Sequence, residues 1–106
     1  MYFLMRCLHH AEQDIVRDAH RPAHREWVKS GGNGLAVVLV GSALLDAVGR
    51  ILGNFGILEA ADPDQARAFA ESDPFNQAGI VASIELTALP DTFQAHRISE
   101  PMTARI

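Results

Sequence analysis

The chain has 106 residues, 48% of them hydrophobic and 21% charged, and a formal net charge of -4. That length and balance suit one globular domain with a single core and leave no room for a separate catalytic domain. A net-negative chain without a Lys/Arg cluster cannot hold a phosphate backbone, which excludes nucleic acid as a partner, and its one cysteine, Cys7, excludes an internal disulfide.

The opening MYFLMRCLHH lacks both the long apolar stretch of a signal peptide and the roughly 20 apolar residues of a membrane span, so Tyr2 to Leu8 reads as a mostly buried strand. In it Cys7 is a small buried hydrophobe, which suits a reducing cytoplasm, and His9 and His10 follow as exposed turn residues. The polar stretch from His9 to Arg21 comes next, with an irregular turn over Asp14 to Ala19. Pro22, best tolerated in a first helical turn, predicts a helix from there to about Ser30. Gly31, Gly32, Asn33 and Gly34 end it with positive-φ conformations.

Leu35 to Val40 is an apolar, valine-rich second strand, Gly41 to Arg50 a connection, and Ile51 to Ala60 a third strand in which Gly53 and Gly56 mark bulges or close backbone approach. Asp62-Pro63, with Gln65 three residues after the Asp, starts a helix over Pro63 to Ser72. Asp73-Pro74 repeats the start signal for a single turn before Gly79, and the alternation from Ile80 to Ala88 predicts a fourth strand. Pro90 stops it, and the tail to Ile106 shows no period.

The order β-α-β-β-α-β predicts an α+β, ferredoxin-like antiparallel sheet with both helices on one face. The other face needs cover, which a second copy of the chain can supply, so a homodimer is expected. The tail, residues 90–106, carries Phe93, Ile98, Met102 and Ile106 and is expected to pack across the partner subunit.

The segment Arg21-Pro22-Ala23-His24, followed by Asp73-Pro74-Phe75-Asn76-Gln77-Ala78-Gly79, resembles the paired signature of YCII-related proteins. With Gly41 and the last strand, the resemblance covers residues 1–89. It implies a dimeric α/β barrel fold, related in architecture to muconolactone isomerases, with a pocket whose His falls on His24 and whose Asp falls on Asp73. The enzymatic theme it implies is dehydrochlorination of a chlorinated hydroxyhydroquinone.

In a helix starting at Pro22, His24 lies in the first turn, where unpaired N–H groups and the positive end of the dipole disfavour imidazolium and leave a neutral base. Such a His also serves in plain packing. Asp73 could orient the ring and stabilise the imidazolium, although capping alone accounts for an Asp before Pro. Arg21, Trp27, Asp46 and Phe75 are the candidate substrate-binding residues: a cation for an anionic substrate, an aromatic wall, a loop carboxylate and a ring within the signature. His20 and His24 are spaced as metal ligands on one helical face. Pro22 separates them, however, and there is no third ligand, so neither a metal nor another cofactor is expected.

These features point to a small lyase or isomerase-like enzyme with a His general base and a hydroxylated, chlorinated or related cyclic substrate. The alternative is a non-catalytic accessory module that holds a small molecule in the same pocket.

Overall fold

A computed structural model describes residues 1–105. Its elements are β1 (Tyr2–His9), α1 (Asp14–Gly34), β2 (Ala36–Leu45), β3 (Ile51–Ala60), α2 (Pro63–Glu71), the single turn α3 (Pro74–Gln77), β4 (Val81–Leu89) and a 3-10 turn at Ala95–Arg97. The four strands form one antiparallel sheet in the order β2-β3-β1-β4, the ferredoxin-like arrangement. No helix among the described residues is long and apolar enough to cross a membrane.

Strand alternation sorts the sheet into two faces. Phe3, Met5 and Cys7 of β1 point to the helices and are buried, together with Val38 and Leu58 from β2 and β3. From α2 come Ala66, Phe69 and Ala70, whose i, i+3, i+4 spacing lays one apolar stripe on that face. Phe69 is among the most completely buried side chains; truncating such a residue to Ala costs about 3–5 kcal/mol. On the opposite face, Leu4, Leu8 and Ile57 stay half-buried and Val40 is exposed.

Asp62 caps α2 as its sequence requires: the side chain accepts from the Gln65 backbone N–H at 2.8 Å, with Pro63 in the first turn. The break after Ser30 also follows the sequence, since Gly31, Gly32 and Asn33 have φ of 63, 63 and 58°. Gly53 lies close against the β1 backbone, and a Cβ there would lie 2.0 Å from the Cys7 carbonyl oxygen.

Two expectations change. Helix α1 begins at Asp14, not at Pro22, which lies inside it. The proline is exposed, so water can satisfy the Asp18 carbonyl that loses its helical donor. Strand β2 runs on to Leu45, and only a short turn remains of the supposed connection. A bulge at Leu39 breaks the register between Val38 and Val40, and pairing with β3 then continues through Gly41, Ser42 and Ala43.

The tail contacts its own chain. The Phe93 ring packs on Tyr2 with centroids 5.4 Å apart, and Arg105 reaches Glu59 at 2.7 Å. Thr103 is buried between α1 and the edge strand β2. Its hydroxyl donates to the Val28 carbonyl at 2.7 Å and accepts from the Val38 N–H at 2.8 Å.

Candidate active site

The early start of α1 builds the site. Arg17, Arg21, His24 and Val28 recur at helical spacing and turn one stripe of the helix toward the sheet, where they line a cavity of about 240 Å³. Strands β2 and β3 supply the opposite wall with Val38, Gly41, Asn54 and Gly56, and Phe75 from α3 closes one side. A volume at the small end of ligand pockets suits a single-ring molecule.

His24 lies in mid-helix, so the expected influence of the helix N-terminus is absent: the backbone N–H groups around it are paired within α1. Asp73 acts on the ring instead. The His24 Nδ1 lies 2.9 Å from Oδ1 and 2.8 Å from Oδ2 of that carboxylate. A carboxylate only accepts, so neutral His24 carries its proton on Nδ1 and presents the lone pair of Nε2. Among the described residues Nε2 has no protein partner, and it remains open to solvent.

Asp73 is itself fixed by folding. It is buried, precedes Pro74, and its Oδ1 accepts from the Phe75 N–H at 2.8 Å as the cap of α3. The Phe75 ring then stacks on His24, with centroids 4.0 Å apart and planes within 5°. The imidazole is thus held in its plane by stacking and about its axis by the carboxylate.

A second cluster lies on the other side of Phe75, where His9 meets the ring edge-on at 5.7 Å. Arg17, 3% exposed, donates from Nε to His9 Nδ1 at 3.3 Å and from Nη1 to Asp14 at 2.8 Å. Since Nδ1 accepts, the His9 proton is on Nε2, which donates to Asn54 Oδ1 at 2.9 Å. Burial pushes the His9 pKa below its ordinary value; the Asn54 hydrogen bond opposes that shift, and the Arg17 charge adds to it. Burial, helped by the Asp73 charge, pushes the Cys7 thiol up to about 12, so it is no nucleophile.

Of the residues singled out in the sequence, His24, Asp73, Phe75 and Arg21 meet at the cavity, Arg21 while paired with Asp18. Trp27 and Asp46 do not line it. The Trp27 indole donates to the Phe69 carbonyl at 3.1 Å and packs on that ring, which makes it part of the core. Asp46 organises the β2–β3 turn by accepting from the Val48 and Arg50 N–H groups, both at 2.9 Å. Sequence reasoning missed Arg17, His9 and Asn54, and placed His9 in an exposed turn. The available signal was the spacing of Arg17, Arg21 and His24. No three His, Cys, Asp or Glu side chains among the described residues cluster as a metal site requires.

The sheet order and the His–Asp pair beneath it define a domain of the ferredoxin-like, dimeric α/β barrel type. A family model for the YCII-related domain matches residues 1–90, and the chain belongs to that family. Among solved structures it is similar to the 5-chloro-2-hydroxyhydroquinone dehydrochlorinase of Burkholderia phenoliruptrix, solved with 2,5-dihydroxybenzoquinone. The identity is 27% and the TM-score 0.74, over 85% of this chain and 94% of that one. No curated protein matches.

Proposed function

We propose that this protein is a small lyase that removes hydrogen chloride from a chlorinated hydroxyhydroquinone or a closely related ring, with His24 as general base. The observation that carries the reading is the fixed tautomer: Asp73 holds Nδ1–H and leaves Nε2, unpartnered among the described residues, at the cavity. Nε2 takes a hydroxyl proton, and the Asp73 carboxylate stabilises the imidazolium that forms. In the overall change two hydroxyl protons leave, the carbon that carried chlorine gains one proton, and chloride departs with the bonding pair. The ring becomes a quinone without an external oxidant. The similarity to a hydroxyhydroquinone dehydrochlorinase supports this choice of substrate, and with it a place in aromatic breakdown.

The test is chloride release from 5-chloro-2-hydroxyhydroquinone. His24→Ala should abolish it while the protein keeps its fold. Unchanged turnover in folded His24→Ala removes His24 from the mechanism, and binding without product in the wild type favours the accessory module.

We also propose that the protein acts as a cytoplasmic homodimer, in keeping with its free, buried Cys7 and an open sheet face bearing Leu4, Leu8, Ile57 and Val40. The tail contributes to that assembly. Sedimentation of the full chain should give a dimer, and a chain lacking residues 91–106 should dissociate more readily.

A further inference from the structure

His9 and Arg17 carry nothing in the proposed reaction, yet they bury a guanidinium and an imidazole against the wall of the cavity. Burying a guanidinium is costly unless its donors are used. Two are used, on His9 and Asp14, and Nη2 has no protein partner among the described residues. Asn54 is in the same position. Because Arg17 forces the His9 proton onto Nε2, the Asn54 carbonyl oxygen must face His9, and its amide nitrogen is left without a partner among the described residues. Neither nitrogen is sealed from solvent, since among the described residues no buried side-chain nitrogen or oxygen lacks a partner, and both residues line the cavity.

We propose that Arg17 Nη2 and Asn54 Nδ2 form an oxyanion subsite, and that the cavity takes a ring compound as an anion, its charged oxygen at this subsite and its reacting hydroxyl toward His24. This deepens the proposed function and rests on its placement of the base. Both unpartnered groups are donors only, so they match an oxygen bearing negative charge and mismatch a neutral donor. The lining agrees: Arg17, Arg21 and Arg25 reach the cavity, the first two paired with Asp14 and Asp18, which do not line it, whereas Asp73 is its one carboxylate among the described residues and is already bonded to His24 and the Phe75 N–H. His9 is a positioning residue. It holds the guanidinium at Nε and the amide at its oxygen, and so aims both sets of free donors. The two poles share a wall, since His9 and His24 pack on the same Phe75 ring.

The experiment is calorimetric titration of the intact protein with 2,5-dihydroxybenzoquinone, an anion at neutral pH, with its neutral dimethyl ether, and with benzoate. The wild type should bind the dihydroxy anion more tightly than the ether by about tenfold or more, as expected of hydrogen bonds to a charged group. Asn54→Asp keeps the oxygen that His9 needs and turns the free donor into an acceptor. It should lose most of that preference, with affinity for the ether unchanged. Arg17→Met should do the same if it folds, and Asn54→Asp decides the matter if it does not. Benzoate binding that is equally sensitive to Asn54→Asp extends the subsite to carboxylates, and its failure beside a binding quinone anion restricts the subsite to ring oxyanions. Equal wild-type affinity for anion and ether, an unchanged preference in Asn54→Asp, or no saturable binding of any probe overturns the proposal. Because the readout is binding, an inactive base leaves this result standing, and a failed subsite leaves the His24 chemistry untouched.

Discussion

Asp73→Asn separates the cap that Asp73 makes from the role proposed for it beside His24. Asp73 accepts from the Phe75 N–H through Oδ1 and faces His24 Nδ1 with both oxygens. Asn remains a good helix cap, so with its oxygen on the Phe75 N–H the α3 turn persists, and stability should change by less than about 1 kcal/mol. The amide nitrogen then replaces Oδ2 opposite His24 Nδ1, 2.8 Å away in the native pair. Two donors cannot share that distance, and the one oxygen left, 2.9 Å from Nδ1, is already taken by the Phe75 N–H, so the balance of tautomers shifts toward a proton on Nε2, with Nδ1 accepting from the amide. The base is then lost at the atom that faces the cavity. General base catalysis contributes roughly 10²–10⁴-fold, and a wrong His tautomer forfeits a loss in that range. Chloride release measures the rate, thermal unfolding the cap, and the ¹⁵N shifts of His24 the tautomer. If the variant keeps its Tm and releases chloride within about threefold of wild type, tautomer control is not what Asp73 contributes.

His9, whose pKa is lowered in the native state, gives a pH signature. Below about pH 6.5 the unfolded chain protonates this His while the native protein resists, so stability falls with pH down to the depressed native pKa; His9→Gln should flatten Tm against pH in that window, and an unchanged slope would remove His9 as the cause. Cys7, buried with its thiol raised to about 12, should escape iodoacetamide in the native protein near pH 8 and react after unfolding, as mass spectrometry would show; rapid native labelling refutes the burial argument. Thr103→Val leaves the Val38 N–H and Val28 carbonyl without their partner. That should cost on the order of 1–3 kcal/mol and lower Tm by roughly 4 °C or more; an unchanged melting curve would mean that the tail does not hold the edge of β2.

Where local rules decide structure, the sequence was readable. The Asp62-Pro63 start and the Gly31 to Gly34 break appear as written, because a cap and a left-handed turn are settled within a few residues, whereas β4 forms as expected but keeps its period of two only around Ile84 and Leu86: Ala82 and Ala88 are exposed and Val81 and Leu89 are half-buried, with a register shift against β1 near the start of the strand. The first half of α1 was hidden for a physical reason. Its inward stripe is Arg17, Arg21 and His24, so a search for apolar periodicity finds none, and Pro22 reads as a start because nothing local reveals that its face is solvated. The far half of β2 was hidden because Gly41, Ser42 and Ala43 are weak strand formers held there by pairing with β3. The pairing of His24 with Asp73 came from the family resemblance, since residues this far apart in the chain carry no local mark of contact. The Arg17, His9 and Asn54 network had no such guide and needed the sheet register to bring its members together.

The short segment from Asp73 to Phe75 shows why a motif of ordinary composition can carry a site. Its cap hydrogen bond is local, formed between the Asp73 side chain and a backbone N–H two residues on, so the carboxylate is oriented by the turn rather than by the helix it serves. The same turn sets the Phe75 ring, which lies parallel to the imidazole. Backbone, carboxylate and ring therefore reach α1 as one rigid piece, and a single packing contact between α1 and α3 fixes both the tilt and the tautomer of His24. A base on the side of a long helix needs that support, because the helix constrains its Cβ but leaves the ring free to rotate. In a domain with so small a core, combining the cap with the orienting group spares a separate buried polar network for the dyad, and each such network would need every member satisfied. The candidate site is thus built from interactions that also cap and order α3, and as a result the pairing with His24 is invisible until α1 is packed against it.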